Sequence, residues 1–358
     1  MPGALPFIAF PAVFLVSIPL FLHARHGNLP LISIFTWLLL NNIAYGINSV
    51  MWDGNADLKA EFWCDFTTKL KIGGDIGVPA SVLALALQVY HITLQKKRLA
   101  TLVEFGLCVF LPMLIMGLHI IVQGHRFDIF ESFGCQPAIY VSVPSIFILD
   151  LPALLCSILA SIFCTLSVIN FARHRAAFTR LQAVHDRMNN GLDKSRYLRL
   201  TSVTFILGAW SATVIALTRA SAYRRLQTWT TWDEVHADFL SFDGARFTLS
   251  DVPSSVLPWL YLSWLSIPIS SVFAFAFLAL GTEAGKEYRK YWTAIRGAGT
   301  KPGTEKNAPR PPLEGDDEDD DDIWGPVEKR SWLDVSSAST PRRDTLRMYV
   351  DRRVTLDP

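Results

Sequence analysis

Residues 63–91 read WCDFTTKLKIGGDIGVPASVLALALQVYH, running from Trp63-Cys64-Asp65 through Lys69, Lys71, Asp75 and Pro79 to His91. Three polar turns are followed by an apolar half. From Cys64 to His91 a helix rising 1.5 Å per residue is about 40 Å long, enough to cross a bilayer with its headgroup layers. The stretch therefore predicts one transmembrane helix whose first half carries ionisable groups. An unpaired charge at that depth costs at least about 2.5 kcal/mol, so these groups should face a bundle interior or a water-filled cavity.

Outward from this helix, apolar runs of spanning length fall at Leu5–Leu22, Leu29–Val50, Leu70–Tyr90, Thr101–Val122, Pro144–Phe171, Leu200–Leu217 and Val256–Leu280. With 51% hydrophobic and 18% charged residues, the composition suits a multi-pass membrane protein. Seven spans put the termini on opposite sides. With the N-terminus outside, the inner loops and proximal tail hold 16 Lys and Arg, among them Arg25, Lys96, Lys97, Arg98, Arg173, Arg175, Arg180, Arg196 and Arg199. The opposite side holds 7, Lys69, Arg126 and Arg219 among them, and the excess of inner cations sets the orientation. The first run has nothing basic before it and is read as an uncleaved helix. The predicted fold is an all-α integral membrane bundle of seven transmembrane helices over residues 1–285. A disordered cytoplasmic tail follows over 286–358, rich in Pro, Gly and charge, with the acidic run 314–322 and Ser and Thr beside Arg342 and Arg343.

Cys64 and Cys135 both fall outside, in an oxidising compartment, whereas Cys108, Cys156 and Cys164 lie in apolar helices. A Cys64–Cys135 disulfide is expected, two free outer thiols being the alternative. Lys71 and Asp75, four apart, share a helix face. They form either a self-neutralising pair or, with Asp65 and Lys69, the wall of a polar ligand cavity. Gly73, Gly74 and Gly77 invite close approach of a neighbouring helix, and mid-helix Asn41 and Asn42 are read as interhelical hydrogen bonders. The long outer segment Ser221–Ser254 is dense in aromatics, including Trp229, Trp232 and Phe239. It reads as a lid or interface anchor, and its single His236 lacks the partners of a metal site. Inside, Phe171–Leu181 continues helix 5 as an amphipathic stretch, facing headgroups or a protein partner.

Seven helices, an outer disulfide and basic inner loops together resemble a G-protein-coupled receptor. The rhodopsin-like class is disfavoured: Val89-Tyr90-His91 stands where Asp/Glu-Arg-Tyr would end helix 3, and helix 7 lacks Asn-Pro-x-x-Tyr. A closer match lies in Trp63-Cys64-Asp65 with Thr68-Lys69-Leu70, Phe133-Gly134-Cys135-x-Pro137, Arg196-Tyr197-x-Arg199-Leu200 and Trp229-x-x-Trp232-x-x-Val235-His236-x-x-Phe239. In order and topology these resemble the fungal a-factor-type (lipopeptide) mating-pheromone receptors, class D of the G-protein-coupled receptors. The resemblance covers about residues 5–290.

That resemblance implies a plasma-membrane receptor for a farnesylated peptide pheromone, coupled through a heterotrimeric G protein to a mating-response kinase cascade. The partners implied are the pheromone, the G protein and membrane lipid, with no nucleic acid and no cofactor, and a homodimer is left open. Ligand-site candidates are Asp65, Lys69, Lys71, Asp75, Trp232 and His236. Coupling candidates are Lys96, Lys97, Arg98, Arg173, Arg175, Arg180, Arg196 and Arg199, whose sign the membrane orientation alone also explains. The alternative from another class is a seven-helix transporter or channel using Lys71 and Asp75 as an ion relay, but no internal repeat supports it. No His-Glu-x-x-His and no nucleophile–base spacing points to an enzyme.

Overall fold

The structure, a computed structural model, describes residues 2–94, 101–173, 194–239 and 245–278. Its seven long helices are α1 Pro6–His26, α2 Leu29–Met51, α3 Glu61–Thr93, α4 Thr101–Val122, α5 Val143–Arg173, α6 Lys194–Ala222 and α7 Leu257–Leu278. All seven are long and apolar enough to cross a membrane. The division at 285/286 and the tail lie outside the described residues, as do Lys96, Lys97, Arg98, Arg175 and Arg180.

The helices form a ring in which α1 packs on α2 and α7, and α7 on α6, while α3 runs through the interior against α2, α4, α5 and α6. Its position shows in its burial: 89% of the most apolar window of α3 is buried, against 28% for α1 and for α4. In a bilayer the exposed faces of α1 and α4, with Phe7, Phe14, Phe110 and Met113, are lipid-facing. The glycine patch of α3 makes its central place achievable. A Cβ on Gly73 would stand 2.6 Å from Met116 Sδ and 2.7 Å from the Trp37 ring, and a Cβ on Gly74 or Gly77 would collide with Asn41 or Trp37. Backbone and indole meet only because nothing projects between them.

Prolines make a second seam. Pro112 in α4 has no N–H and excludes the carbonyl four residues back. The helix widens there into a π turn, Gly106–Phe110, in which Leu111 N–H reaches Gly106 O. The freed Cys108 carbonyl accepts hydrogen bonds from Ser33 Oγ at 3.1 Å and Trp37 Nε1 at 3.4 Å, both on α2. Pro152 has the same effect in α5, after the π turn Ile146–Asp150. Asn42 Nδ2 donates to Ser271 Oγ at 2.8 Å and so joins α2 to α7, the packing role expected of it.

Two features depart from the sequence-based expectations. Helix α6 continues through Arg219 to Ala222, past the end of its apolar run, so Arg219 belongs to a helix rather than to an outer loop. The outer face also carries a small sheet in order β2-β1-β3, with β1 Asp128–Phe130, β2 Gly134–Gln136 and β3 Arg246–Phe247. The first two form an antiparallel hairpin between α4 and α5. The third comes from the α6–α7 segment and pairs parallel to β1, with Phe130 and Phe247 stacked at 4.9 Å.

Candidate functional site

The outer end of α3 is held by the hairpin. Cys64 is disulfide-bonded to Cys135, Cα atoms 5.2 Å apart, closing a loop of 71 residues. Beside it Trp52, Phe127 and Ile129 are buried together, and Ser132 N–H donates to Trp52 O at 2.8 Å. Arg126, just before the hairpin, donates from Nη2 to Asp65 Oδ2 at 2.5 Å, from Nε to Asp65 Oδ1 at 3.3 Å, and from Nη1 to Glu61 Oε2 at 2.6 Å. Next to it His125 Nε2 donates to Asp128 Oδ1 at 2.7 Å, and this bond raises the histidine's pKa against the opposing effect of burial.

Down the face of α3 each cation finds a partner. Lys69 Nζ donates to His119 Nδ1 at 2.8 Å and to Gln123 Oε1 at 2.7 Å, at the outer end of α4. Lys71, buried, donates to Tyr45 Oη at 2.9 Å, and the Tyr45 ring stacks on Trp264 of α7 at 5.4 Å. Asp75 lies 3.8 Å from Lys71 Nζ, and its side chain is 36% exposed. Lys71 and Asp75 thus form the intrahelical pair, and of the two only Asp75 lines a cavity.

Asp75 opens onto a small polar cavity, open on one side, walled by α3, α5, α6 and α7. Gly74, Val78 and Pro79 form the α3 wall, Leu149, Asp150 and Ala153 that of α5. Across it α6 supplies Trp210, Thr218 and Arg219, and α7 the serines Ser263, Ser266 and Ser270. Asp150 Oδ1 accepts from Arg219 Nε at 2.8 Å and Oδ2 from Tyr223 Oη at 2.7 Å, which latches the outer ends of α5 and α6 together. No group of three His, Cys, Asp or Glu side chains suited to a metal ion occurs among the described residues.

Of the six ligand-site candidates, only Asp75 lines this cavity. Asp65 and Lys69 are held by the outer segment and by α4. Trp232 and His236 are apart from it, stacked on each other at 3.9 Å in a one-turn helix, Trp232–Val235. His236 Nε2 lies 2.8 Å from Ile120 O and Trp229 Nε1 donates to Ile121 O at 3.2 Å, so this segment is anchored on the end of α4. The latch of Asp150, Arg219 and Tyr223 went unrecognised in the sequence. Its available signal was a carboxylate eight residues into an apolar helix, where charge is rare and functional. At the inner side Tyr197 is fully buried and stacks on Phe171 at 4.8 Å, joining α6 to α5. Arg173 is exposed and Arg199 half-buried, each a helical turn or less from that pair.

Compared with known families, residues 4–296 match the model of the Pheromone A receptor family. The chain belongs to this family. Among relatives, the Pheromone B beta 1 receptor of Schizophyllum commune is 36% identical over 299 residues, covering 80% of this chain and 54% of the relative. Pheromone receptor 1 of Mycosarcoma maydis is 27% identical over 299 residues, covering 80% and 82% respectively. The Pheromone a factor receptor of Saccharomyces cerevisiae is 24% identical over 306 residues, covering 80% and 60%. The chain spans about half the length of the Schizophyllum commune relatives it matches.

Proposed function

We propose that the chain is a plasma-membrane G-protein-coupled receptor for a farnesylated peptide mating pheromone, signalling through a heterotrimeric G protein to a mating-response kinase cascade. The observation that carries this reading is the polar cavity at Asp75, Asp150 and Arg219, set inside a seven-helix bundle of the Pheromone A receptor family. Such a cavity suits the peptide part of a ligand. An apolar groove between α5 and α6, lined by Ile158, Ser161, Ile162, Thr165, Leu166 and Ala212, supports a prenyl chain lying alongside in the bilayer. Ligand binding shifts the bundle between two arrangements by its differential affinity, and the inner ends of α5 and α6 carry the change to the G protein. Arg173, Arg196 and Arg199 are the coupling candidates at those ends.

The test is expression in a fungal cell deleted for its own pheromone receptors and carrying a G-protein-dependent reporter, with farnesylated and unfarnesylated forms of each candidate peptide. A response to the farnesylated form alone is the expected result. Silence to a full panel of farnesylated peptides despite normal surface expression would overturn the reading.

A further inference from the structure

The cavity between α3, α5, α6 and α7 has a one-sided hydrogen-bonding character. Four of the neutral donors in its wall are already engaged. Ser266 Oγ donates to Ser263 O at 2.6 Å, Ser270 Oγ to Ser266 O at 2.7 Å, Thr218 Oγ1 to Val214 O at 2.7 Å, and Trp210 Nε1 to Ser266 O at 3.4 Å. A hydroxyl that has given its one hydrogen to the backbone turns only lone pairs to whatever enters. Asp150 is engaged at both oxygens, and Arg219, the cation of the wall, is neutralised against it.

Asp75 differs. Its carboxylate lines the cavity, and its one ion-pair partner among the described residues, Lys71, stands at 3.8 Å, beyond hydrogen-bond length. Lys71 gives its short hydrogen bond to Tyr45 instead. Asp75 thus keeps both acceptor capacity and charge on the cavity side. Across from it Ser266 and Ser270 of α7, their hydrogens committed to the backbone, present further acceptors, and Ser263 lies on the same helix face.

We propose that this cavity takes a cationic, hydrogen-bond-donating group, an ammonium or guanidinium, with Asp75 as its counter-ion and the serine face of α7 as acceptors. The proposal rests on the reading of the bundle as a peptide receptor, and it assigns the ligand a basic side chain or a free amino terminus at this depth. An anionic group would meet the Asp75 carboxylate and the lone pairs of Ser266 and Ser270, while the one guanidinium of the wall, Arg219, already carries Asp150 as its counter-ion.

The test uses the purified full chain in lipid nanodiscs with Ser266→Cys and two thiol reagents, aminoethyl and sulfonatoethyl methanethiosulfonate, alike in size and opposite in charge. Cys108, Cys156 and Cys164 are buried, and the chain without the added cysteine supplies the background. The ratio of cationic to anionic labelling rate, normalised to a cysteine at the exposed Asp53, should exceed one by about tenfold, the order expected of one nearby charge in a partly screened site. Asp75→Glu should keep the preference and Asp75→Asn lose it. The double variant Lys71→Gln/Asp75→Asn, which leaves no unbalanced lysine, should bring the ratio to one. A ratio near one with Asp75 in place, a preference that survives Asp75→Asn, or a cysteine that neither reagent reaches would each overturn the proposal. A chain that selects the cationic reagent yet answers no farnesylated peptide would refute the receptor reading and support the cavity assignment. One that answers peptides without selecting would do the reverse.

Discussion

Two guanidinium–carboxylate contacts, both toward the outer end of the same helix bundle, use the same chemistry in different surroundings. Arg126 forks onto Glu61 and Asp65 at the outer surface, where the carboxylate side chains are 46% and 42% exposed. Arg219 meets Asp150 where that carboxylate is 11% exposed. In water the fork contributes at most about 1 kcal/mol and is screened by salt. At the latch the carboxylate has lost most of its solvent, so the pair adds little net stability while the loss of one partner costs about 3–5 kcal/mol. The contrast separates a contact that orients a loop from one that the bundle cannot leave half-made.

The largest expected effect comes from cutting the connection that keeps the fork assembled. Cys64→Ser opens a 71-residue loop, which in the chain-entropy model costs about 4 kcal/mol. Arg126 should then lose its place beside α3 while the latch persists. Thermal unfolding of the purified protein would show the loss, and a cysteine pair bridging α5 and α6 near Asp150 and Arg219 should still form. Next is Asp150→Ala, expected to destabilise by about 3 kcal/mol because it strands Arg219. The double change Asp150→Leu/Arg219→Met should recover most of the surface expression, and a double variant no better than the single would break the comparison.

Arg126→Ala should cost under about 1 kcal/mol and should make no difference at 1 M salt, where the Debye length is about 3 Å. A loss as large as that of Asp150→Ala would abolish the distinction between the sites. The smallest effect belongs to His125. Its pKa is raised by Asp128, so its contribution is fully present below the ordinary histidine value and disappears as pH rises through the raised one. Hydrogen exchange at the β1 amides, corrected for intrinsic rate, should therefore quicken between pH 6 and 8. In His125→Gln that pH dependence should vanish.

The helices and the staple were legible because their signals are local. A spanning helix is declared by some twenty apolar residues in a row, and Cys64 and Cys135 by the side of the membrane on which their loops fall. The glycine patch of α3 announced a close neighbour, although not that the neighbour would be Trp37. What stayed hidden was non-local. Strands of two and three residues are too short to show alternation, and Phe130 and Phe247 meet across more than a hundred residues. Arg219 follows the last apolar residue of its run and so resembles a loop cation, until Asp150 on another helix gives it a reason to lie inside. Trp232 and His236, quoted for their motif, sit on the end of α4 instead of in the cavity. Trp229 and His236 meet the carbonyls of Ile121 and Ile120 there, partners which a sequence does not advertise.

The parallel pairing of β3 with β1 also has a mechanical side. Ile129 N–H donates to Ala245 O at 2.7 Å, Glu131 N–H to Phe247 O at 2.9 Å, and Leu249 N–H to Glu131 Oε2 at 2.8 Å. These bonds lie on the short path from the start of α7 to the disulfide at the head of α3. The strand acts as a lever arm with Cys64 as its fulcrum. A tug on the outer tip of α7 would have a route to the central helix through these bonds, the β1–β2 hairpin and the disulfide, without passing through the bundle.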